Sequence, residues 1–131
     1  MSNVPYDDDS ATRVLIGHLT TFRAQLKAAA DAFLPLGVLG PPFQSDIETG
    51  SEGLATMSRG VGKLRQSFGR PIGEHLPRAL PDLTKTVAVG RALAAQLDQA
   101  QSDLTAAAAE VRVLSAELER FIHLAEGREM S

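Results

Sequence analysis

His18, His75 and His123 are the side chains of this 131-residue chain best suited to hold a metal or move a proton near neutral pH, and no two of them stand at ligand spacing. Glu119 and His123 are four apart and could share a helix face, but neither the Glu-x-x-His pairs of di-iron bundles nor a His-Glu-x-x-His motif occurs. Cysteine is absent, which removes disulfides, thiolate nucleophiles and cysteine-ligated zinc. Serine and threonine are plentiful, yet no Gly-x-Ser-x-Gly elbow presents a nucleophile. The stretch Gly60-Val61-Gly62-Lys63 lacks the frame of a phosphate-binding loop and falls inside a helical stripe, not after a strand. The residue types therefore predict a protein that is not an enzyme, with no catalytic, cofactor-binding or metal-binding residues and no cofactor.

What the residues do carry is helical periodicity. Leu93, Leu97, Ala100, Leu104, Ala107, Val111, Leu114, Leu118, Phe121 and Ala125 recur in steps of four and three, which puts them on one stripe of an α-helix that another helix must cover. The stripe extends back through Val87 and Leu83 to Pro81, whose missing N–H suits a first helical turn, and it stops near Gly127. Read as one helix over 81–127, it is a coiled-coil-like rod about 70 Å long. Asp103, Glu110 and Glu117 flank the seam on one side, while Ala94, Gln101, Ala108, Ser115 and Ile122 flank it on the other. An antiparallel self-pair would set acid against acid, whereas a parallel self-pair or a partner with basic or small residues would not.

Two further stripes could cover the seam from within the chain. Leu15, Leu19, Phe22, Leu26, Ala29 and Phe33 predict helix 1 over about 10–34, with candidate caps at Asp9, Ser10 or Thr12 and a stop at Pro35 and Gly37. Ile47, Gly50, Leu54, Met57, Val61, Leu64 and Phe68 predict helix 2 over about 45–68, which Gly50, Gly53, Gly60 and Gly62 weaken by about 1 kcal/mol each against alanine. Close approach of another backbone at Gly53 and Gly60, or a kink, would explain them. A connector over 69–80, holding Pro71, Gly73 and Pro77, leads to the rod. The expected fold is all-α, a single up-and-down helical bundle of three main helices over 1–131, with residues 1–8 disordered.

Phe33 to Phe43 is apolar for a connection, so Leu36, Val38 and Leu39 either plug the end of the bundle or form a docking loop for a partner or lipid surface. The net charge of −3 is unevenly spread. Residues 1–58 carry three cations against seven carboxylates, residues 59–91 seven against two, and residues 92–131 three against seven. Internal pairing between the basic middle and the acidic ends accounts for this pattern, as would steering of a partner. Nucleic-acid binding by 59–91 is disfavoured, because only Phe68 could stack and no recognition motif is present.

These features predict an interaction or assembly protein. Helices 1 and 2 reach only half of so long a rod, so the rest of its seam, at Leu104, Val111, Leu114, Leu118 and Phe121, should pair with a second copy in a homodimer or higher oligomer, or with another protein. A helical carrier or sensor for a small molecule or lipid is the alternative. Neither a secretory leader nor a membrane span is read from the chain, and the expected location is cytoplasmic. In general shape the Ala-rich helices and apolar turn resemble the small helical-hairpin proteins of type VII secretion. That resemblance implies a helical protein of that class, but no tryptophan serves a Trp-x-Gly motif, and Tyr6 precedes the first helix instead of following the second.

Overall fold

A computed structural model describes residues 8–35, 44–68, 72–99 and 104–127. Among the described residues every element is a helix: α1 (Asp8–Phe33), α2 (Gln44–Phe68), α3 (Ile72–Gln99) and α4 (Thr105–Ala125). The first two stripes form as their spacing requires. On α1, Leu15, Leu19, Phe22, Leu26, Ala29 and Phe33 are all buried. On α2, Gly50, Leu54, Met57, Val61 and Leu64 are buried and Ile47 and Phe68 partly so.

The expected rod is corrected by the structure. The helix that should run over 81–127 is two helices that lie antiparallel, so that Gly90 faces Ser115, Arg91 pairs with Glu119 and Asp98 pairs with Arg112. Among the described residues four helices stand where three were expected, and the seam closes within the chain: Leu93 and Leu97 of α3 share one core with Leu104, Val111, Leu114, Leu118 and Phe121. Ala108 is buried where the heptad places Ala107, as suits the wider stripe of a helix that faces two neighbours. At its far end α4 stops at Gly127, whose φ of +80° is readily adopted only by glycine and whose N–H donates to the carbonyl of Leu124 at 3.0 Å.

The connector over 69–80 is corrected as well, because α3 begins at Ile72 and contains both Pro77 and Pro81. Each proline removes one helical hydrogen bond. Both lie on the exposed side, where the carbonyls left unbonded can turn to water, while Ile72, His75, Leu76 and Ala79 on the opposite side are buried. Burial of that face, at about 1.5 to 3 kcal/mol for each large apolar side chain, offsets the loss.

Two hairpins, α1–α2 and α3–α4, stand side by side. They join chiefly through α1 and α3, which run parallel, and α2 and α4 touch more lightly. Thr86, fully buried on α3, marks the α1–α3 contact: its hydroxyl donates to the carbonyl of Asp82 at 2.8 Å and lies 3.2 Å from that of Leu19 on α1. Arg23 pairs with Asp82 across the same contact at 3.7 Å, and Arg65 of α2 pairs with Glu117 of α4 at 2.9 Å. Arg65 and Arg91, both from the basic middle of the sequence, thus pair with acids of the C-terminal third. Such half-exposed pairs add little stability singly, but they fit only this arrangement of edges.

Within the first hairpin the glycines of α2 receive aromatic rings. A Cβ at Gly50 would lie 2.6 Å from the ring of Phe33, and one at Gly60 would lie 2.8 Å from that of Phe22. The expected approach of backbone at Gly53 is loose by comparison, with the carbonyl of Gln25 3.8 Å from a Cβ there, and Gly62 faces open space.

Two measurements check this packing. Glu in place of Val111 or Leu118, each fully buried, should cost more than about 4 kcal/mol and abolish the cooperative thermal transition seen by circular dichroism. A folded variant with an unchanged melt and a smaller mass would instead put the seam between chains. Gly60→Ala should destabilise by about 1 to 3 kcal/mol in urea titration because the ring of Phe22 has to move. Gly62→Ala, with space around it, should stabilise by up to about 1 kcal/mol.

Candidate functional site

The seam residues Leu104, Val111, Leu114, Leu118 and Phe121 lie inside the chain, none more than 4% exposed. Leu36, Val38 and Leu39 lie outside the described residues. The histidines are apart. His18 is exposed and stacks on Phe22 with ring centroids 6.1 Å apart, and His123 is exposed in the last turn of α4. His75 is buried, edge-on to Phe68 at 6.2 Å, with its Nδ1 3.4 Å from Thr12 Oγ1. Thr12 and His75 are the nearest approach to a nucleophile and base, but both are 6% exposed and no carboxylate among the described residues bonds the imidazole. Among the described residues no three His, Cys, Asp or Glu side chains converge as a metal site, and Glu119 pairs with Arg91 rather than approaching His123 as a ligand partner. No helix among the described residues is long and apolar enough to cross a membrane.

The concave feature of interest is a groove of about 500 Å³ along the outer side of the parallel pair α1 and α3. Ala24 and Ala30 of α1 and Val89, Ala92 and Leu93 of α3 make an almost wholly apolar floor. Thr20, Arg23, Lys27 and Gln96 complete the lining. The groove exists because alanine stands at three positions of this flank: Leu26 turns inward to the core, Leu93 is buried at the floor, and the Ala24, Ala30 and Ala92 methyls fill less of the gap than leucine would. From Thr20 to Ala30 it follows α1 for about 15 Å. It is a partly open trough, with a volume in the range of about 300 to 1,000 Å³ common to binding sites.

Periodicity marks the inward faces of α1 and α3 but not this outer one. Ala24, Ala30, Ala92 and Gln96 read in the sequence as ordinary helix-forming residues, and the signal that could have found them, small residues on the outer flanks of two stripes, acquires meaning only once α1 and α3 are known to be adjacent and parallel. No protein-family description matches this chain, and no curated protein or solved structure is significantly similar to it, so the type VII resemblance rests on general shape alone.

Proposed function

We propose that this chain is a non-enzymatic helical interaction protein whose docking surface is the groove between α1 and α3. The observation that carries the reading is an apolar floor that is open among the described residues, beside a shared core in which the stripes of all four helices are buried. Association with a second copy and association with another protein both fall within it. Self-association through Leu104, Val111, Leu114, Leu118 and Phe121 would require α4 to leave α3, since those side chains are core in the folded chain. The groove supports the alternative, a carrier of a small apolar molecule or lipid, less well: its volume is sufficient, but it is partly open to solvent, where small-molecule sites enclose about 70 to 90% of the ligand surface.

A photo-crosslinking amino acid placed at Ala92 tests the proposal against the same group at Ala109, which is exposed on α4 away from the groove. In cells that make the protein, a discrete adduct is expected from position 92 and not from 109, and an adduct of twice the chain mass would identify a second copy as the occupant. No adduct at 92, or equal labelling from both positions, would overturn the reading. Copurification of a tightly bound amphiphile, seen by native mass spectrometry, would favour the carrier.

A further inference from the structure

We infer that the occupant of the α1–α3 groove is an acidic amphipathic helix of a different protein, an inference that rests on the interaction reading above. Every charged side chain lining the groove is a cation, although the chain as a whole carries −3. Arg23 is only loosely held by Asp82, at 3.7 Å, and Lys27, one turn further along α1, is exposed and has no ion-pair partner among the described residues. Beyond the groove on α3, one turn before Val89, Lys85 is an exposed cation, and Asp82, which pairs with Arg23, is the acid at this end. Asp31, one turn beyond Lys27, is the acid at the far end.

The shape selects a helix. Alanines at 24, 30 and 92 let another backbone come close, and the trough they leave is filled by leucine or phenylalanine side chains projecting from a third helix. Arg23 and Lys27 are four apart, so they meet carboxylates spaced four apart along one edge of that helix, an arrangement that sets register and speeds encounter. Among the described residues a second copy is the poorer fit: the exposed side of α4 presents Arg112 and Arg120 beside Val113, its Glu117 and Glu119 are already paired with Arg65 and Arg91, and the C-terminal half of α2 presents Arg59, Lys63 and Arg65. Glu48 and Glu52 of α2 are correctly spaced, but Ser45, Thr49 and Thr56 surround them and supply no apolar edge.

The test uses the full chain and a fluorescent three-heptad peptide with leucine at a and d and glutamate at e and g, beside a twin with lysine for glutamate, followed by fluorescence anisotropy. The acidic peptide should bind at least about tenfold more tightly than its twin in about 0.05 M salt, and the difference should shrink in about 0.5 M salt. Lys27→Glu, a change at an exposed site that leaves the fold intact, should remove the preference, and Ala92→Leu should block the acidic peptide by filling the groove. Equal binding of the twins, binding indifferent to Lys27→Glu or Ala92→Leu, or no binding of the acidic peptide overturns the inference. So does saturable binding of laurate that Ala92→Leu abolishes and the acidic peptide does not displace. Crosslinking at position 92 separates the two levels: an adduct together with charge-indifferent peptide binding removes the acidic helix and keeps the interaction protein, whereas loss of the adduct removes both.

Discussion

Closure of the C-terminal seam within a single chain is the constraint on which the other contacts depend. With Gly90, Arg91 and Asp98 of α3 set against Ser115, Glu119 and Arg112 of α4, the second hairpin has one side of α3 covered by its own partner helix and a second side, carrying His75, Asp82, Thr86 and Leu93, still to be covered. α1 covers that side, and it runs parallel to α3, which brings Leu19 beside Thr86 and Thr12 beside His75. Once α1 is committed on that side, α2 takes the remaining flank of α1 and meets α4 across the bundle. The bundle is therefore two hairpins joined along a parallel edge, not a rod with two short helices laid on it.

Much of this was legible in the residues, and the parts that were not have a common cause. Steps of four and three name the buried face of a helix without naming what covers it. Leu15 to Phe33 and Leu54 to Leu64 are buried as their spacing requires, because each stripe belongs to one helix ended by glycine or proline. From Leu93 to Phe121 the same spacing runs on through a change of direction, and residues 99–105 contain neither glycine nor proline to announce it. Ser102 and Asp103, residue types that favour a helix N-cap, are the sole local hint. The opposite error occurs at 72–80, where Pro77 suggests irregular chain but the helix persists because the proline faces water and Ile72, Leu76 and Ala79 face the core.

Charge follows the same division. The basic middle and acidic ends of the sequence foretell internal pairing, and Arg65 with Glu117 and Arg91 with Glu119 realise it. Arg23 and Lys27 come from the acidic first third, so a segment count assigns them no special place. They stand out only when α3 is brought alongside α1 with alanines at the contact. The candidate site is thus a property of tertiary adjacency, and it was not legible in the chain.

Small residues have opposite consequences on the two sides of α1. Toward α2, Gly50 and Gly60 leave hollows that Phe33 and Phe22 fill from α1, so the lack of side chains becomes tight packing and the poor helix propensity of glycine is offset by ring burial. Toward the outer flank of α3, Ala24, Ala30 and Ala92 leave a hollow that is open among the described residues, although leucine at any of these positions would help to close it with little loss of helix propensity. Glycine opposite a large ring and alanine opposite alanine thus give, on two sides of one helix, a closed contact and an open groove.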